Sequence, residues 1–275
     1  MKGSFENWSR ATLVVLLLCP GMASAAELSQ KTVAGYEAYV AKVDTRIKAQ
    51  HSRDEGFLYF ERSSPGTREA ADEKLRRGEI LIEQVKADSV PDGMIHHWRG
   101  AAFLPGVSLP RTMANVQDYG AFAQNYRPEV VSSSTLWHRG DDFQFAMRLR
   151  KHKVITVVLD TVSSVHFGQL DPDHRFSISR MTRISELADP GTPTEHLLPA
   201  GRDSGFLWRM DTYWSYVQVQ GGVLVECETV SLTRDVPFGL KYLIGPFIES
   251  VPRESLEFTL RATRLAVSQR AVANK

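Results

Sequence analysis

Between residues 78 and 234 the chain is almost all strand. Segments 79–86, 94–104, 135–150, 154–170, 175–186, 206–220 and 223–234 are rich in β-branched and aromatic residues. Only residues 110–126 interrupt them with helical spacing, placing Met113, Val116, Tyr119, Phe122 and Tyr126 on roughly one face. Hairpin turns join several of them, so the strands are expected to pair antiparallel. After them comes one long amphipathic helix, 251–272. Pro252 suits its first turn, and Leu256, Leu260, Thr263 and Val267 line one stripe. A single curved sheet cannot cover its own apolar face. The terminal helix is therefore expected to fill the concavity, and space left between the two becomes a pocket. The fold class this implies is α+β.

Local signals refine this outline. Gly221-Gly222 reads as a two-residue hairpin turn. It would pair Cys227 with Tyr216 and Val225 with Gln218, leaving Glu226, Glu228 and Arg234 on a solvated face. Arg139-Gly140-Asp141-Asp142 reads as a second turn. Residues 188–203 hold Pro190, Gly191, Pro193, Pro199 and Gly201, and read as a long loop. Ahead of the sheet, 30–50 has helical spacing (Val33, Tyr36, Val40, Val43, Ile47), 56–61 is expected as a short strand and 67–77 as a charged helix.

The first residues carry the parts of an export signal. Lys2 and Arg10 precede the apolar stretch 11–19. Pro20 and Gly21 break it, and Ala23-Ser24-Ala25-Ala26 offers cleavage after Ala25 or Ala26. The stretch is too short to span a bilayer. The expected organisation is a signal peptide at 1–25, an N-terminal helical extension at 26–77 and a main domain at 78–270, the mature protein being periplasmic. Once Cys19 leaves with the leader, Cys227 is the sole cysteine, so no internal disulfide supports the fold. The formal net charge of +1 gives no reason to expect a nucleic acid partner.

Several stretches resemble the START and Bet v 1-like superfamily, whose helix-grip fold wraps a curved antiparallel sheet around a long C-terminal helix. They are His96-His97-Trp98-Arg99-Gly100, Trp214-Ser215-Tyr216 leading through Gly221-Gly222 into 223–228, Arg234-Asp235-Val236-Pro237, and 251–256. The resemblance covers about 78–267; the extra N-terminal helical segment departs from the minimal fold and is expected to pack as an accessory layer or a lid. It implies a cavity for an apolar or amphipathic molecule such as a lipid. Some members of the superfamily are cyclases or hydrolases instead.

The residues themselves supply little chemistry. The chain lacks H-E-x-x-H, C-x-x-C, G-x-x-x-x-G-K-[ST] and G-x-S-x-G. His96 and His97 are neighbours on a strand and point to opposite faces, so they do not form a metal pair; one is expected inward beside Trp98, the other in solvent. Asp171-Pro172-Asp173-His174 reads as a turn, and Cys227 as a buried, inert thiol. Neither cofactor nor metal is expected. Candidate cavity-lining residues are Trp98, Phe143, Phe145, Trp208, Trp214, Tyr216, Gln218, Val225, Cys227 and Thr229 on the strands, with Leu256 and Leu260 on the helix. The apolar stretch 237–247 reads as a connection packed over the pocket end or as a gate. Three functions stay open: a carrier of an apolar molecule, an enzyme using the same cavity, and an interaction module whose cavity is filled by side chains.

Overall fold

The computed structural model describes residues 28–152, 156–199, 201–235 and 241–273; the leader and residues 237–240 of the apolar connection lie outside them. Helix α1 spans Gln30–Gln50 and is capped by Ser29, whose side chain accepts from the Thr32 amide. Residues 56–61 form no strand; a 3₁₀ turn occupies Tyr59–Arg62 and leads into α2, Pro65–Arg76, which Pro65 opens.

The strands are β1 (Leu81–Gln84), β2 (Gly93–Pro105), β3 (Val130–Arg139), β4 (Asp142–His152), β5 (Thr156–Asp171), β6 (His174–Ala188), β7 (His196–Leu197), β8 (Arg209–Val219) and β9 (Gly222–Arg234). Between β2 and β3 lie α3 (Leu109–Val116) and the single turn α4 (Phe122–Asn125). Helix α5 runs from Lys241 to Ala273, so residues 241–247 of the apolar connection belong to the helix. The strand order is β1-β2-β9-β8-β6-β5-β4-β3, every pair antiparallel, with β7 added to β6 inside the 188–203 loop.

The β8–β9 turn differs from expectation. Val219 pairs with Gly222, so the turn is Gln220-Gly221, and only Gly221 has positive φ, +84°. Gly222 is already in the ladder opposite Pro105, where a side chain would collide with the Leu104 carbonyl. Cys227 therefore faces Trp214, and Val225 faces Tyr216. Moving the turn by one residue shifts the pairing by two, so every side chain keeps its face. The Gly140-Asp141 turn forms as expected between Arg139 and Asp142.

Two faces result. On the inner one, Trp98, Ala102, Leu104, Phe145, Val165, Phe167, Tyr216, Val223, Val225 and Cys227 share a core with Leu109, Met113 and Val116 of α3 and Leu256, Leu260 and Val267 of α5. Gly100 lets α5 approach: a Cβ there would stand 2.7 Å from Leu260 Cδ1 and 3.3 Å from Leu256 Cδ2. The long C-terminal helix thus lies on the curved sheet, in the α+β helix-grip arrangement. The outer face is covered as well. Helix α1 lays Tyr36, Tyr39, Val40, Val43 and Ile47 over Tyr213, Val230 and Leu232. The N-terminal segment is an accessory layer on the back of the sheet, not a lid over its front.

Candidate functional site

The inner face is built by alternation along the strands. His96, Trp98, Gly100, Ala102 and Leu104 of β2 point inward, and each pairs with an inward residue of β9: Ser231, Thr229, Cys227, Val225 and Val223. β8 adds Trp214 and Tyr216, whose rings stack nearly parallel at 5.7 Å. β4 contributes Phe143 and Phe145; Tyr119, between α3 and α4, stacks on Phe145 at 3.9 Å. Tyr126 closes the far side, its hydroxyl 2.9 Å from that of Thr263 on α5.

Among the expected lining residues, Trp98, Phe145, Tyr216, Val225, Cys227, Leu256 and Leu260 meet in this one core, with Phe143 and Trp214 packed against it. Thr229 lies in the same inward row, between Trp98 and Thr212. Gln218 is spent on structure: its Oε1 accepts from the Leu109 amide at 2.7 Å and its Nε2 donates to the Gly222 carbonyl at 2.7 Å, fastening the start of α3 to the β8–β9 hairpin. Trp208 is a correction. It sits just before β8, on the outer face under α1, and its indole donates to Asp203 at 2.9 Å.

Polar chemistry on the inner face is sparse. His96 lies 2.9 Å from the Thr233 hydroxyl, and burial lowers its pKa to about 4, keeping it neutral near pH 7. Burial pushes the Cys227 thiol well up, so it stays protonated and a poor nucleophile. Among the described residues, Trp98 Nε1 and both amide atoms of Asn115, on the buried side of α3, find no hydrogen-bond partner. A cleft of about 110 Å³, lined by Leu109, Pro110, Met113, Pro172 and Arg175, lies where α3 meets the β5–β6 turn. In that turn the Asp171 carboxylate accepts from the Asp173 and His174 amides, so it is occupied in shaping the chain.

The most strongly perturbed carboxylates are on the opposite face. His97 is buried beneath α1, so neither of the two histidines faces solvent, correcting the expectation that one of them would. Its Nε2 lies 2.6 Å from Glu228 and its Nδ1 2.6 Å from the Tyr39 hydroxyl. Arg99 donates to Glu228 at 2.7 Å and to Glu83 at 2.5 Å, and Arg46 of α1 also pairs with Glu228. Burial alone would raise the Glu228 pKa; the His97 bond and the two guanidinium groups overcome it and hold it at about 2. Glu226, two residues away, is pushed up to about 7 by burial, against the pull of Arg99 and of the Tyr59 amide, which donates to it at 2.9 Å. Beside them Tyr36 donates to Asp211 at 2.6 Å, and Arg180 joins Asp211 to Asp44 of α1.

Sequence alternation assigned Glu226 and Glu228 correctly to the outer face but left that face solvated. The missed signal was in α1, where Tyr36, Tyr39, Arg46 and Gln50 lie on or beside its apolar stripe. Polar groups on a buried helix face require buried polar partners.

No family model matches the sequence. No curated protein matches it significantly. Solved structures similar to this chain include a STAR-related lipid transfer protein fragment from Xanthomonas axonopodis: 17% identical, covering 68% of this chain and 98% of that one, TM-score 0.45. Another is the Zhui aromatase/cyclase from Streptomyces, 11% identical over 65% of this chain and 96% of that one, TM-score 0.43. A START superfamily protein from Mycobacterium smegmatis is 13% identical over 70% and 99% of the two chains, TM-score 0.38.

Proposed function

We propose that the protein is an exported, periplasmic START-like domain that binds or carries an apolar or amphipathic, lipid-like small molecule between the inner face of its sheet and α5. The observation that carries this reading is the mismatch inside an apolar core: Trp98 Nε1 and the Asn115 amide are buried with hydrogen bonds unmet among the described residues. Leaving such groups unpaired costs about 1–3 kcal/mol each. Ligand pockets have this composition, largely apolar with a few polar groups that orient the guest. Binding is driven by burial of the guest's apolar surface, roughly 25 cal/mol per Å².

The cleft of about 110 Å³ is smaller than the several hundred Å³ of a typical ligand pocket, and it lies at α3 and the β5–β6 turn, not between the sheet and α5. A carrier fits better than an enzyme. The two carboxylates with the largest pKa shifts, Glu226 and Glu228, stand beneath α1 with their side chains turned away from the inner core. The inner face offers His96 and Cys227, both uncharged at neutral pH. Among the described residues no helix is long and apolar enough to cross a membrane.

Native mass spectrometry with organic extraction, on protein purified from its own periplasm, tests this. A stoichiometric apolar molecule supports a carrier and names its class. An empty protein that also refuses fluorescent fatty acids and sterols overturns the reading in favour of a ligand-free interaction module. N-terminal sequencing of the same sample tests export: the mature chain should begin at Ala26 or Glu27.

A further inference from the structure

The buried side chains of α3 divide by chemistry. Leu109, Met113 and Val116 enter the apolar core together with Val267 of α5. Thr112 donates its hydroxyl to the Ser108 carbonyl at 3.1 Å. Asn115, at 2% exposure, does neither: its amide nitrogen and its amide oxygen are both buried without a partner among the described residues. It is the only described side chain with two such atoms. Other buried polar groups nearby are matched, His96 by Thr233, Thr263 by Tyr126, and Gln218 by Leu109 and Gly222. One turn before Asn115 on the same helix, Nη2 of Arg111 is also buried and unpartnered. Residues four apart on a helix are neighbours on its surface. One flank of α3 therefore carries two unused donors, one of them cationic, and one unused acceptor, all withdrawn from solvent.

We propose that Arg111 and Asn115 form the head-group site of the guest, and that they select an amphipathic carboxylic acid bearing a hydroxyl close to its carboxylate. This rests on the carrier reading above and names the class of molecule carried. The match is made atom by atom. The two carboxylate oxygens accept from Arg111 Nη2 and Asn115 Nδ2, and the hydroxyl donates to Asn115 Oδ1. One guanidinium answers one negative charge, so a carboxylate suits the site better than a doubly charged phosphate. A plain fatty acid leaves Asn115 Oδ1 unmatched, and a fatty alcohol leaves the Arg111 charge unanswered. The guest's chain falls to the apolar core that Met113 and Val116 enter from the same helix. A site built around hydrogen-bonding groups discriminates strongly against an analogue lacking the matching group, because its own buried polar atoms are then stranded.

Isothermal titration calorimetry of the purified mature protein with 3-hydroxydecanoate, decanoate and decanol tests this. The parent should bind the hydroxy acid about tenfold or more tighter than decanoate, and decanoate tighter than decanol. Asn115→Leu should erase the preference for the hydroxyl, and Arg111→Gln the preference for acid over alcohol. Thermal melting without any guest supplies a second readout. Leucine in place of an unpaired amide should leave the protein as stable as before or more so, whereas an asparagine with a purely structural role would be missed. Near-ultraviolet circular dichroism confirms that each variant is folded. Equal binding of all three probes by the parent, or an Asn115→Leu protein that melts lower, overturns the head-group site and leaves the carrier reading standing. If none of the three probes binds, the carrier reading and the site fall together.

Discussion

Glu226 and Glu228 stand on the same face of one strand, yet their environments drive them in opposite directions. Glu228 is ringed by His97, Arg99 and Arg46, so its folded pKa, about 2, lies below the ordinary 4.5. The stability it contributes is present above pH 4.5 and is lost as pH falls toward 2. Glu226 is raised to about 7. Between pH 4.5 and 7 the folded state holds a proton that the unfolded chain has released, so stability falls as pH rises through that window. Glu226→Gln is expected to abolish that decline and to gain on the order of 2–3 kcal/mol above pH 7 relative to the parent, as read by urea denaturation across pH. Glu228→Gln should do the reverse, costing about 3–5 kcal/mol at neutral pH because it strands the buried Arg99. If both substitutions move stability alike, the assignment of environments is wrong. None of this was legible at the residue scale: alternation gave each glutamate its face, but burial depends on a helix nearly two hundred residues earlier in the chain.

Elements were more legible than their contacts. The spacing of Val33, Tyr36, Val40, Val43 and Ile47 located α1 over the same residues that form it, because helical periodicity is a local property. The strand 56–61 failed because a short apolar run carries no reliable period, and this one is used to bury Phe57 and Leu58 against the outer sheet face. Where α5 would touch the sheet was not readable, yet it turns on one residue. Gly100→Val should force Leu256 and Leu260 away and press on the Leu81 carbonyl, 3.1 Å from the new Cβ. A loss of about 1–3 kcal/mol is expected in thermal or urea melts. On the other side, Ile47→Ala empties a site at 2% exposure beneath α1 and should cost about 2–5 kcal/mol. A negligible effect in both would mean that neither helix is firmly seated.

The whole molecule is three layers, α1 behind, the sheet between, and α3 with α5 in front. The sequence foretold the front layer through the resemblance to helix-grip proteins. It brought most of the expected lining residues into one core, but it could not report how much room remains there. A guest that binds only the folded form adds RT ln(1 + [L]/Kd), about 2.7 kcal/mol at a hundredfold excess over Kd. A fluorescent fatty acid that binds should therefore raise the melting temperature in step with its concentration. A melting temperature that does not move would argue that the space is closed.

The ion network behind the sheet has a mechanical consequence. Arg99, Glu228, His97, Asp211 and Arg180 link β2, β9, β8 and β6 to one another and to α1. To spread those strands would pull charged groups apart in a dry setting, where an unmatched ion is costly. The sheet is therefore a braced wall: prising β2 from β9, or β6 from β8, must break ion pairs, whereas α3 and α5 rest on its front through apolar contacts alone among the core residues named above.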